Sequence, residues 1–436
     1  MASLTVKSIY YMSIAFPYRY RVLIMLFFLT LLSYFDRVTI ALVSVRIKHE
    51  FHLTNAKFGW VLAAFALAYA LFEIPSGMLS DRIGQRSVFI RIVIWWSLFT
   101  ALTGAATGIL SLMFIRILFG MGESGTYPTS TGVISRWFPI KETGKSISAL
   151  TMGASVGAAI APLLVIPIAA AYGWRMPFFV NGLLGLIWVL VCFSWFKDLP
   201  SNMKGISEEE LKLIETGRRF QRAHARIDWR LILKSRSILA LSLMFFCSQC
   251  GNYFFIGWMP VYLQEARHFT ENEMKLITSA VFLSGIAGAI FSWFITDWLV
   301  KKYGLKNGRR LLGVTAMGMM AILFAVTAFT SEKRIVVISL ISAHFFYLPV
   351  LISSFSSCVD MGGENAGTVT GIMNFAGQMG SFFLALYFGK IADITHSFEL
   401  PMIILAVLLL SGALLWLALD PEHQLNFKEK KTVLID

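Results

Sequence analysis

Gly77-Met-Leu-Ser-Asp81-Arg82-Ile-Gly84-Gln-Arg86 stands between two apolar runs, 57–79 and 87–107. Each run has the roughly 20 residues that an α-helix needs to cross the hydrocarbon core of a bilayer. The stretch between them carries an acid, two arginines and a glycine, so the chain emerges, turns and re-enters. This unit of long apolar run and short polar turn recurs along the chain. Spans fall near 22–45, 57–79, 87–107, 109–134, 146–172, 176–196, 237–263, 275–299, 309–330, 334–357, 367–391 and 399–419, here numbered 1 to 12. Strict alternation of apolar and polar residues is absent, which argues against a membrane barrel.

Composition agrees. The 436 residues are 57% hydrophobic and 14% charged, against about 45–50% apolar and about 25% charged in soluble domains. Soluble, disordered and collagen-like classes are excluded. The net charge of +13 does not mark a nucleic-acid binder, because the basic residues sit in short loops. With both termini on one face, 26 of the 38 Lys+Arg fall on that face, 8 on the other and four within spans. That bias predicts both termini in the cytoplasm. Span 1 follows Lys7, Arg19 and Arg21 and contains Asp36 and Arg37, so it reads as a retained helix and not a cleaved signal.

The longest polar stretch, 197–236, divides six spans from six. The expected organisation is an N-terminal bundle (1–196), a cytoplasmic linker (197–236) and a C-terminal bundle with a cytoplasmic tail (237–436). The halves look like weak repeats. Asp81 maps onto Asp297 at an offset of 216, with Lys301, Lys302, Arg309 and Arg310 following the second, as expected of secondary transporters. Cys192, Cys247, Cys250 and Cys358 all lie in apolar runs, and one C-x-x-C pair cannot close a structural zinc site.

The Gly77–Arg86 stretch resembles the loop 2–3 signature of the major facilitator superfamily, and the resemblance covers nearly the whole chain. It implies an all-α membrane protein with twelve transmembrane helices in two pseudo-symmetric six-helix bundles. It also implies a gating role for Gly77, Asp81, Arg82 and Arg86. Ser33-Tyr34-Phe35-Asp36-Arg37 in span 1 and Arg116-x-x-x-Gly120-x-Gly122-Glu123-Ser124-x-x-Tyr127-Pro128 in span 4 are similar to the anion:cation symporter branch. That branch includes bacterial sugar-acid transporters and the sialic-acid and vesicular glutamate carriers.

The same residues stand out without the resemblance. An ionised side chain at mid-membrane costs roughly 2.5–3.5 kcal/mol on insertion scales. Asp36, Arg37, Arg116 and Glu123 all meet that cost. Tyr34 and Arg37 share a helix face, and Arg116 and Glu123 lie two turns apart. Either the four form a fixed ion-pair network holding spans 1 and 4 together, or they handle substrate and protons. Asp36, Glu73 and Glu123 are all in the first half, and Asp36 maps onto Asn252 at the same offset. Proton coupling is therefore expected in the first half, with Asp36 and Glu123 carrying protons and Arg116 stabilising ionised Glu123. Arg37 would grip a substrate carboxylate. Tyr34, Tyr69, Asn252, Tyr253, Asn374 and Gln378 are the other expected substrate contacts, and an asparagine near the substrate in span 11 is common in the branch. His344 reads as a packing residue or a proton carrier, and Glu73, two residues before Pro75, as structural or gating.

Two departures narrow the reading. Span 5 runs Gly153-x-x-x-Gly157-x-x-x-Ala161-Pro162-Leu163-Leu164, without the glycines that flank the proline in drug antiporters of the superfamily. Loop 1–2 is short and Asn-x-Ser/Thr is absent throughout, so a bacterial inner-membrane protein is expected. There is no Walker-type loop or H-E-x-x-H, and the G-x-S-x-G match Gly153-Ala-Ser155-Val-Gly157 lies inside an apolar helical run, not at the strand-to-helix turn a nucleophile elbow needs. No enzyme activity, cofactor, metal or nucleic acid is therefore expected. The expectation is a monomer in the lipid bilayer that symports a small organic anion with protons. The alternatives are export or antiport of a metabolite or siderophore-like compound, or a sensor that binds the anion without transport.

Overall fold

The structure, a computed structural model, describes residues 16–216, 235–362 and 366–422. Lys7, part of the expected linker (217–234) and the basic tail lie outside the described residues. Eleven described helices are long and apolar enough to cross a bilayer. One of them, Glu271–Phe329, is two spans joined at Gly304, whose φ of 80° breaks the helical path. Twelve spans result, and they pack as two six-helix bundles.

The repeat is visible in the backbone. His52 and His268 both take left-handed φ (51° and 52°). Two residues later Thr54 and Thr270 cap spans 2 and 8, each side chain accepting a backbone N–H three residues on. Both pairs are offset by 216. Gly84 and Gly304, which turn the chain with positive φ after those spans, are offset by 220. Span 8 is thus one turn longer than span 2. Asp297 matches Asp81 when counted from the cap, but not when counted from the turn.

Close helix contact explains several glycines. A Cβ at Gly157 would collide with the Leu31 carbonyl, and one at Gly153 with the Phe27 carbonyl. Spans 1 and 5 therefore meet backbone to backbone, the small-xxx-small packing of membrane helices. Gly77 faces Pro128, and an added Cβ would lie 3.2 Å from its ring, so the 2–3 turn begins where span 2 touches span 4. Proline shapes other spans. Pro128 supplies no N–H to the Ser124 carbonyl, and span 4 is interrupted between Ile109–Glu123 and Thr126–Trp137. Span 7 is helical over Arg236–Tyr253 and then widens into π-type turns at Phe254–Trp258 and Tyr262–Ala266 on either side of Pro260.

The two ends of the assembly differ. On the face away from the linker, Arg46 grips Glu271 with two hydrogen bonds (2.9 and 2.8 Å) and Lys48 pairs with Glu265 (2.6 Å). Asp393 of span 11 accepts the backbone N–H groups of Asn55 and Ala56 (3.2 and 2.7 Å), capping span 2 from the other bundle. Nearer the middle, the Tyr253 hydroxyl donates to the Leu62 carbonyl (3.0 Å). These contacts form a seam between the bundles. At the linker face, contacts close within a bundle or onto the linker. Arg86 bonds the Phe193 carbonyl through its guanidinium and Asp198 through its N–H. Arg309 pairs with Asp360. Arg19 pairs with Glu142, and Glu210 of the linker helix Glu208–Thr216 caps span 1 through the N–H groups of Tyr18 and Arg19. Residues 58–66 of span 2 are mostly buried at the seam, whereas Leu71, Phe72, Ile74, Met78 and Leu79 are exposed. The bundles are therefore closed at the seam and parted toward the linker.

Candidate functional site

Four charges come together in the middle of the N-terminal bundle. Glu123 is fully buried, and Arg116, Asp36 and Arg37 are 3%, 5% and 9% exposed. The break in span 4 puts Glu123 at a helix end, with its carbonyl taken by the Thr126 hydroxyl (2.7 Å). Its side chain reaches span 1, where Arg37 Nε donates to Oε1 at 2.7 Å and the Ser33 hydroxyl donates to the same oxygen. Oε2 of Glu123 and Nη2 of Arg37 are buried without a partner.

Aromatic rings enclose both guanidinium groups. Arg37 lies over Tyr69, Tyr34 and Phe65, at 4.5, 4.9 and 5.5 Å from their centroids. Arg116 lies over Phe119 and Phe65 at 4.5 and 4.7 Å. Such faces stabilise a desolvated cation without neutralising it. Arg116 makes no ion pair among the described residues, and its Nε has no hydrogen-bond partner. In this arrangement Glu123 is bonded by Arg37 of span 1, and Arg116, two turns away on its own span, is an electrostatic neighbour of Glu123. Asp36 accepts from Thr100 (3.3 Å) and has Glu123 and Arg116 among its electrostatic neighbours.

The second bundle contributes neutral groups. Asn374 and Gln378 are partly exposed and their side chains make no hydrogen bond among the described residues, and Asn252 is buried in span 7. The Tyr253 hydroxyl, expected at the substrate, is bound to Leu62 and forms part of the seam. Tyr347 of span 10 donates to Gln249 of span 7 at 2.8 Å, and Tyr34 of the other bundle is among its electrostatic neighbours. Sequence reasoning missed this pair, because a neutral polar side chain carries no membrane penalty to mark it. It also missed Tyr127, which sits among Tyr34, Tyr69 and Arg37. Its spacing of four from Glu123 was the available signal.

The remaining candidates lie apart. Asp81 and Arg82 are exposed and their side chains make no ion pair or hydrogen bond among the described residues, and Arg86 is held within its own bundle. Asp198 binds the Arg86 N–H (2.7 Å) in the first turn of span 3. His344 is packed edge-on between Phe255 and Phe282 (4.9 and 5.2 Å), in space left by Gly285. Glu73 is half-buried in the linkerward part of span 2, without an ion pair.

Residues 26–385 match the family model of the major facilitator superfamily. The chain belongs to that superfamily. As a facilitator it is an integral membrane transporter and not an enzyme. The probable sulfoacetate transporter of Cupriavidus necator is 31% identical over 404 residues, covering 92% of this chain and 93% of that protein. The D-galactonate transporter of Escherichia coli is 30% identical over 415 residues, covering 92% and 95%. The hexuronate transporter of Bacillus subtilis is 29% identical, covering 87% and 89%. In fold, the facilitator is similar to a bacterial homologue of the human lysosomal transporter Spinster in an inward-facing, unoccupied conformation. That likeness has a TM-score of 0.73 at 18% identity and covers 92% of this chain and 97% of that one.

Proposed function

We propose that this facilitator symports a small organic anion, a sugar acid or a related carboxylate, with protons by alternating access. The observation that carries the reading is the Arg37–Glu123 ion pair, buried beside the unpaired Arg116. Two cations (Arg37, Arg116) face two carboxylates (Asp36, Glu123), so the site is neutral when both acids are ionised. A proton on Glu123 removes the partner of Arg37 and leaves a net positive charge, which a substrate carboxylate balances with a charge-assisted bond in a low-dielectric site. Proton and anion then move as a neutral set, which keeps the cost of burying charge low.

In this reading the linker face is cytoplasmic, as the Lys+Arg bias supports, and the conformation faces inward. The protein is a monomer of the bacterial inner membrane, with bundles at 1–196 and 237–436 and the segment 197–236 between them. Asn252, Asn374 and Gln378, joined by the Gln249–Tyr347 pair, would meet the hydroxyl groups of a sugar acid. Gly77, Asp81, Arg82 and Arg86 would make their gating contacts in the opposite, outward-facing state.

The test begins with a thermal-shift screen against sugar acids, dicarboxylates, aromatic acids and amino acids, since a ligand of the folded state raises apparent stability. Stabilisation by sugar acids and counterflow of the same compounds in proteoliposomes supports the reading. Binding without counterflow makes the protein a sensor, and efflux driven by an inward proton gradient makes it an exporter.

A further inference from the structure

Span 1 carries three serine and threonine side chains from Thr30 to Thr39, and one behaves differently. Thr30 donates to the carbonyls of Leu26 and Phe27 (3.3 and 3.0 Å), and Thr39 to that of Phe35 (2.8 Å). This back-bonding to its own helix is the common use of a helical hydroxyl. Ser33, 1% exposed, leaves its helix and donates across to Glu123.

The surroundings of Glu123 show why that matters. Arg37 and Asp36 face it from span 1, Tyr69 from span 2, Arg116 from its own span and Tyr253 from span 7. Only two groups bond its carboxylate, both at Oε1. A guanidinium can only donate, and its bond to a carboxylate is strong because the acceptor is ionised. A proton taken on Oε2, which has no partner, leaves Oε1 as a neutral carbonyl oxygen that still accepts from the Ser33 hydroxyl, while Arg37 loses the opposite charge that held it.

We infer that Ser33 is a positioning residue for proton coupling: it holds Glu123 in place in both protonation states, so that protonation releases Arg37 instead of displacing Glu123. This rests on the proton-symport reading and adds to it the device that makes Arg37 available.

The test is the pH dependence of D-galactonate binding to detergent-purified protein, for the unmutated chain, Ser33→Ala and Ser33→Thr. In the unmutated protein, affinity rises as pH falls, because protonated Glu123 frees Arg37. Ser33→Ala removes a bond that is stronger to the ionised carboxylate than to the neutral acid. Its binding midpoint therefore moves up by about half a pH unit to one unit. Ser33→Thr keeps the hydroxyl and keeps the midpoint. If Ser33→Ala does not fold, Ser33→Cys, a similar volume with a weak hydrogen-bonding group, is read the same way. An unmoved midpoint in the Ala or Cys variant, or an equal shift in the Thr variant, overturns the inference. Affinity that ignores pH in the unmutated protein overturns the proton-symport reading itself, which separates the two failures.

Discussion

Arg37 donates to Glu123 through Nε, while its Nη2 is buried with nothing to bond. A planar group with one edge occupied and another free is suited to exchanging one carboxylate for another. Lysine has the charge but not the fork, and it is more strongly hydrated. Arg37→Lys is expected to weaken substrate binding at least about tenfold, the equivalent of one lost charge-assisted bond of ~1.5–3 kcal/mol, with the fold intact. Isothermal titration with the best ligand of the screen checks this, and near-normal affinity removes Arg37 from the site. The four charges themselves were legible in the sequence, since each bears a membrane penalty that only function or pairing offsets. Their partners were not. Arg37 and Glu123 are 86 positions apart, and which guanidinium meets which carboxylate depends on how spans 1 and 4 are rotated. Tyr347 and Gln249 gave no signal at all, being neutral residues among many hydroxyls and amides.

Among elements, the contact of spans 1 and 5 is set by backbone approach, and two glycines of span 5 separate packing from propensity. Gly157 abuts the Leu31 carbonyl, while Gly144 has nothing within 4 Å. Gly157→Ala should force the helices apart and cost about 1–3 kcal/mol. Gly144→Ala should be neutral or stabilise by up to ~1 kcal/mol. Melting temperatures in one detergent compare the two, and equal effects would contradict the packing account. The seam gives a second expectation. Asp393 caps span 2 across the bundle boundary, and Asp393→Asn loses both the charge facing the helix N-terminus and one of the two acceptors. About 1.4 kcal/mol lost there changes the ratio of conformers about tenfold. Spin labels at Lys57 and Glu399 should then show a population with longer distances, which the unmutated protein lacks; identical distance distributions would rule Asp393 out as a latch. Span existence was readable because hydropathy is local, whereas the His52/His268 match became visible only in the backbone dihedrals. The break at Glu123 was half-visible in Pro128. The π-type turns of span 7 were not visible, because they arise from packing against spans 2 and 11.

At the scale of the molecule, the bundles share a fold and divide the chemistry. The buried carboxylates and guanidinium groups described at the site sit in the first bundle, and the second contributes neutral hydrogen-bonding groups. A seam of ion pairs closes one end while the other stands open. In the proposed alternating access the seam parts and Asp81 and Arg82 gain contacts in the outward-facing state, so Asp81→Asn should slow transport while leaving equilibrium binding mostly intact. The proposed proton coupling rests on the acids. Asp36→Asn and Glu123→Gln mimic the protonated form permanently, and both should lose accumulation against a gradient. At least one should still exchange substrate in counterflow, because exchange requires no proton release. The most direct measurement of the central claim is uptake of the sugar acid that stabilises the protein most in the screen, into proteoliposomes of the unmutated protein under an imposed inward proton gradient, with and without a protonophore. Accumulation above the outside concentration that collapses with the protonophore is the predicted result, and uptake that follows sodium and is indifferent to pH would contradict it.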